Sequence, residues 1–100
     1  MAKGYWIANV DVADPDAYKA YVAANKGPLN KFGARFLTRG GAAETVEGGF
    51  RKRVVVIEFP SYQAALDCYR SPEYQAAKKL RAGASSADLI VLEGYDGPQP

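Results

Sequence analysis

The sequence predicts an α+β chain built as a split βαβ unit, a four-stranded antiparallel sheet with helices on one face. Three observations predict it. Strand-like and helix-like segments follow one another in the order β, α, β, then β, α, β. Two helix starts are written as a capping residue followed by proline, Asp14-Pro15 and Ser71-Pro72. Four consecutive β-branched residues, Val54-Val55-Val56-Ile57, mark a central strand covered on both faces.

Each element has its own reason. Tyr5 to Val12 alternates with a period of two, putting Trp6, Ala8, Val10 and Val12 on one face and Tyr5, Ile7, Asn9 and Asp11 on the other. Asp14 caps a helix whose stripe is Tyr18, Tyr21, Val22 and Asn25, at i, i+3, i+4 and i+7. Gly27-Pro28 is expected to interrupt it, because proline removes a hydrogen bond, so Leu29 and Phe32 belong to a kinked or second short turn. Gly33 supplies the left-handed residue at its end. Arg35 to Arg39 is a strand that Gly40-Gly41 ends or bulges, and Glu44 to Glu47 is expected to be a short strand before the turn at Gly48-Gly49.

The second half repeats the plan. Arg51 to Phe59 is the apolar strand, and Pro60-Ser61 stops it and caps a helix carrying Ala65, Leu66 and Tyr69 on one side. Ser71-Pro72-Glu73 opens a further helical piece whose inward face is Tyr74, Ala77 and Leu80. Lys78, Lys79 and Arg81 complement the negative end of its dipole, and Gly83 closes it. Asp88 to Tyr95 is the last strand. This is the ferredoxin-like arrangement, expected as a single domain over residues 1–95 with a flexible tail at 96–100. The face not covered by helices carries Tyr5, Ile7 and part of the apolar strand, which predicts a homodimer joined through the sheet face.

Composition excludes several functions. The chain of 100 residues contains no histidine, so a histidine-held zinc or haem and any Ser-His-Asp or Cys-His pair are ruled out. A single cysteine rules out an internal disulfide and fits a reducing, cytoplasmic setting. The net charge of +2 is too small for a dedicated nucleic-acid binder. No apolar run approaches the roughly 18 residues of a membrane span, and the first residues lack the apolar core of a secretion signal. No nucleic-acid or membrane partner and no cofactor or metal are expected.

Several segments together resemble one small bacterial family. They are Lys3-Gly4-Tyr5-Trp6, the Asp14-Pro15 start with Tyr18 and Tyr21, Phe36-Leu37-Thr38-Arg39-Gly40-Gly41, Glu58-Phe59-Pro60-Ser61, Tyr69-Arg70-Ser71-Pro72-Glu73-Tyr74 and Leu92-Glu93-Gly94. The family is domain of unknown function 1330, in the dimeric α/β-barrel superfamily, and the resemblance runs over roughly residues 3–94. It implies the ferredoxin-like fold and a barrel-forming dimer, but no established reaction. Superfamily relatives include cofactor-independent monooxygenases, lactone isomerases, haem-handling enzymes and ligand-sensing regulators. Fold does not imply function, and this chain lacks the axial histidine of the haem-handling relatives.

Three polar residues stand out against this frame. Asn25 lies on an apolar helical stripe, where a buried amide needs partners; it either contacts a ligand or bonds to backbone at the helix end. Arg39 precedes two glycines and offers a planar fork to a carboxylate or phosphate, or else is a strand-end charge. Glu58 ends the most apolar strand, as a catalytic base if buried or as an ion-pair partner of Arg35 if the two face each other. The aromatic set Trp6, Tyr18, Tyr21, Phe36, Tyr69 and Tyr74 lines either a pocket or a core. Trp6, Tyr21 and Tyr69 join Asn25 and Arg39 as expected ligand contacts. Cys68 reads as a packing residue, and Arg51-Lys52-Arg53 as a solvated strand entrance or a cluster that steers an anion.

Two functions follow. One is a cofactor-independent enzyme or binder for a small anionic or oxygenated organic molecule, with Arg39 holding the anion, Asn25 orienting it and Glu58 as base. The other is a non-catalytic dimeric regulatory or structural module whose polar groups satisfy one another. They separate on whether Asn25, Arg39 and Glu58 point into one common pocket.

Overall fold

The computed structural model describes residues 2–100. Its elements are β1 (Gly4–Val12), α1 (Pro15–Lys31), β2 (Arg35–Arg39), β3 (Arg53–Phe59), α2 (Tyr62–Arg70), α3 (Pro72–Lys79) and β4 (Ser85–Glu93). The strands form one antiparallel sheet in the order β2-β3-β1-β4. The ferredoxin-like α+β fold expected from the sequence is therefore present.

The caps act as their chemistry requires. The Asp14 carboxylate accepts from the Ala17 N–H, and the Ser61 hydroxyl accepts from the Ala64 N–H. Ser71 serves two helices at once. Its hydroxyl donates to the Cys68 carbonyl at 2.7 Å, closing α2, and accepts from the Tyr74 N–H at 3.2 Å, opening α3. Gly33, with φ +74°, ends α1 in a Schellman motif: the Ala34 N–H reaches the Leu29 carbonyl and the Gly33 N–H reaches that of Asn30.

The covered face of the sheet holds the core. Trp6, Val10, Val55, Ile57 and Phe59 point toward the helices, where Tyr21, Leu29, Ala65, Cys68, Tyr74 and Ala77 meet them. Trp6 is the centre: its ring lies 4.8 Å from Tyr74 and 5.0 Å from Phe59, and its Nε1–H donates to the Ala65 carbonyl at 2.9 Å. The buried indole thus satisfies its one polar atom. Gly4 lets β1 begin against α2, since a Cβ there would lie 2.3 Å from the Ser61 carbonyl oxygen.

The open face differs from its expectation in one respect. β3 is central in the sheet, but Val54 and Val56 face outward with Ile7, Ile90 and Leu92 and are not covered by the chain's own helices. Ile90 is 58% exposed. Other expectations need correction. α1 runs unbroken through Pro28, because the proline sits in its last turn and only the Ala24 carbonyl loses a partner. No strand forms at residues 44–47, for no neighbouring strand reaches them; Val46 is 83% exposed there. Leu80 turns outward at the C-cap of α3, while Tyr74 and Ala77 face in as expected. β3 begins at Arg53 and not Arg51, and β4 spans Ser85–Glu93, three residues earlier at its start than the pattern suggested.

Candidate functional site

A cavity lies between α1 and the covered face of the sheet. Its floor is Trp6, Ala8, Val10, Val55, Ile57, Ala87 and Leu89, and α1 roofs it with Tyr18, Tyr21, Val22 and Asn25. The small side chains Ala8 and Ala87 leave the space. Phe36, Arg39, Arg53 and Arg81 complete its walls. The volume swept by the centre of a water-sized sphere is about 40 Å³. At roughly 10–15 Å³ for each water, that is room for about three.

Three arginines converge on this space from separate elements. Arg53 opens β3 opposite Val10, in the same alternation as Val55 and Ile57, so the strand itself aims it inward. Arg39 arrives by a β-bulge. Phe36 pairs with Ile57 and Thr38 with Val56, so the extra residue Leu37 shifts the alternation and places Arg39 on the covered face opposite Val55. The Thr38 hydroxyl repairs the ladder there by accepting from the Val56 N–H at 2.9 Å. Arg81 follows α3, with its guanidinium carbon 5.3 Å from the Tyr21 ring centre. Arg39 stacks on Phe36 in the same way at 4.0 Å.

None of these three arginines forms an ion pair among the described residues, and no carboxylate lines the cavity. The Nε–H of Arg53 is buried without a hydrogen-bond acceptor. Asn25 is 7% exposed, and its Oδ1 is buried without a donor. A buried polar atom left unpaired costs about 1–3 kcal/mol, so two in one cavity need a reason.

The tyrosines behind the cavity are paired. The hydroxyls of Tyr21 and Tyr74 lie 2.7 Å apart. Burial pushes the Tyr74 hydroxyl far above the ordinary phenol range, and the neighbouring Tyr21 adds to this. Burial also raises Tyr18. The Tyr18 and Tyr74 hydroxyls stay protonated at neutral pH and serve as hydrogen-bonding groups, not bases.

The structure thus brings Asn25, Arg39, Trp6 and Tyr21 to one cavity and leaves Glu58 and Tyr69 outside it. Glu58 faces the open side of the sheet, since it alternates with Ile57 and Phe59. There it accepts from the Tyr5 hydroxyl at 3.1 Å and lies 3.9 Å from Arg35, its direct cross-strand neighbour. Tyr69 packs behind the wall, against Trp6 and Tyr74. Cys68 is a buried packing residue whose thiol is pushed up to about 12 by burial first and Glu73 second. Sequence reasoning named Arg53 only within the Arg51-Lys52-Arg53 cluster and Arg81 only as a complement to the helix dipole, and placed neither among the ligand contacts. The signal for Arg53 was its alternation with Val55 and Ile57; Arg81 follows a helix end and has no comparable pattern.

Comparison with known proteins agrees with the fold. The model for domain of unknown function (DUF1330) matches residues 3–95. The chain belongs to this family. No curated protein matches it. Among solved structures it is similar to RPA0582, a protein of unknown function from Rhodopseudomonas palustris. The identity is 22%, with 96% of this chain and 85% of that one covered and a TM-score of 0.71. It is also similar to SnoaB, a cofactor-independent oxygenase from Streptomyces nogalater. There the identity is 10%, with 100% and 97% covered and a TM-score of 0.62. A third is At3g17210 from Arabidopsis thaliana, at 10% identity, 99% and 90% covered and a TM-score of 0.63. At these identities the likeness shows a shared fold. No helix among the described residues is long and apolar enough to cross a membrane.

Proposed function

We propose that the cavity beneath α1 binds a small organic anion. The observation that carries this reading is the set of three arginines without carboxylate partners, Arg39, Arg53 and Arg81, lining one space with the unpaired amide of Asn25. Guanidiniums beside apolar walls favour an anion, most of all Arg53, for whose buried Nε–H little water competes. A reaction at this site is one in which negative charge develops on the substrate. The lining supplies charge stabilisation and offers no carboxylate or imidazole as a base. That Glu58 pairs elsewhere favours binding over general-base catalysis, which keeps a regulatory, ligand-sensing role as the second reading.

The same reading includes a homodimer through the open face, where Ile7, Val56, Ile90 and Leu92 form an apolar centre between polar ends. It places the working domain at residues 1–95, with 96–100 as a tail, in the cytoplasm, where a lone buried thiol needs no oxidised partner. Thermal-shift measurement against a panel of small carboxylates and inorganic phosphate tests the site. Stabilisation that Arg53→Gln abolishes is expected, and a panel without any shift overturns it. Sedimentation at micromolar concentration tests the dimer: twice 10.8 kDa is expected, and a species at 10.8 kDa alone refutes it.

A further inference from the structure

The two unpaired atoms in the cavity are of opposite kind. Arg53 offers a buried donor without an acceptor, and Asn25 a buried acceptor without a donor. They do not satisfy each other, and an occupant that relieves both carries an accepting end, which the three lining arginines favour as an anion, and a hydrogen-bond donor. We infer that the ligand is a short hydroxycarboxylic acid, its carboxylate toward Arg53 and its hydroxyl donating to Asn25 Oδ1. This deepens the reading of the cavity as an anion site and rests on it.

Three further observations narrow the class. A donor on the ligand is either a hydroxyl or an ammonium. Arg39, Arg53 and Arg81 with no lining carboxylate repel an ammonium, which selects the hydroxyl over an amino acid. The floor is apolar, with Val10, Val55 and Leu89 suited to a short hydrocarbon chain. Size sets the length. Room for about three waters, each with a liquid volume of about 30 Å³, corresponds to an acid of two or three carbons. The hydroxyl decides specificity, because an analogue without it leaves Oδ1 buried and unpaired again.

The chain's single tryptophan lines the cavity, so Trp6 fluorescence reads occupancy directly. The probes are lactate, pyruvate and propionate, which share one carbon chain. They differ at C2 in carrying a donor, an acceptor only, or neither. The hydroxy acid is expected to bind about tenfold more tightly than either of the others, the scale set by one unpaired buried group. Asn25→Leu, without hydrogen-bonding side-chain atoms, is expected to erase that preference while retaining propionate binding. Equal binding of all three acids, or a preference for the oxo acid, overturns the assignment and leaves the anion site standing. Absence of binding by every acid, with the fold intact by circular dichroism, overturns the anion site as well.

Discussion

The two faces of one sheet treat arginine in opposite ways. On the open face every arginine of the sheet and its entrance has a carboxylate. Arg35 meets Glu58, and Arg51 reaches Asp11 at 3.1 Å and Asp88 at 3.2 Å. On the covered face Arg39, Arg53 and Arg81 have none, although the Nε–H of Arg53 is buried, where an unpaired polar group costs more. Open-face pairs hold the chain: Asn9 bonds both the N–H and the carbonyl of Arg51, pinning the end of the long loop to β1. Covered-face arginines meet only aromatic rings and tyrosine hydroxyls, and no opposite charge. The lesson is that closed pairs mark structure, and open valence in a drier place marks a site.

Mutations on the two faces should therefore differ in kind. The largest effect belongs to the core of the covered face. Trp6→Ala removes three ring contacts and an indole hydrogen bond, and is expected to cost about 3–5 kcal/mol in chemical denaturation. A cost below about 1 kcal/mol breaks the view of Trp6 as the centre. Next is the open face. The double substitution of Ile7→Asp with Ile90→Asp is expected to yield monomers in sedimentation, with helical circular dichroism unchanged. An undisturbed dimer relocates the interface.

The third effect depends on pH. Cys68 has an ordinary thiol pKa of 9.0 when unfolded and is pushed up to about 12 in the fold. The folded chain therefore holds the proton more tightly. This contribution to stability is complete below pH 9 and is lost as pH rises toward 12. Alkaline denaturation of Cys68→Ala is expected to be flatter over that window; an identical slope removes the thiol from the account. The smallest effects compare the arginines themselves. Arg53→Gln is expected to keep unliganded stability within about 1 kcal/mol, since no ion pair is lost, while abolishing anion-induced shifts. Arg35→Gln breaks an exposed pair worth less than about 1 kcal/mol and is expected to leave those shifts intact. If both variants behave alike, the contrast between the faces fails.

Much of the fold was legible because its signals are local. Asp14, Ser61 and Ser71 cap the helices they announce, and Trp6, Val55 and Ile57 follow a period of two into the core. Pro28 misled because its rule describes a helix interior, whereas the helix had a single turn left to run. The resemblance over residues 3–94 and the family match over 3–95 nearly coincide. The site was only half legible. Asn25 was marked by polarity on an apolar stripe, a local contradiction. Glu58 was marked by an apolar neighbourhood in sequence, but alternation sends neighbours to opposite faces, and its own face supplied Tyr5 and Arg35. The bulge at Leu37 comes from the register between two strands, which no window within β2 contains.

The floor of the cavity has one more implication. Its capacity is set by what Ala8 and Ala87 omit, and a few methyl groups added at those positions would close it with aliphatic packing. Backbone, caps and sheet register would be untouched. Ligand size is thus an adjustable quantity in this architecture, separable from folding, so two chains with superimposable backbones can differ entirely in whether they accommodate a guest. Side-chain volume at residues 8 and 87 is a better guide to shared chemistry than overall shape.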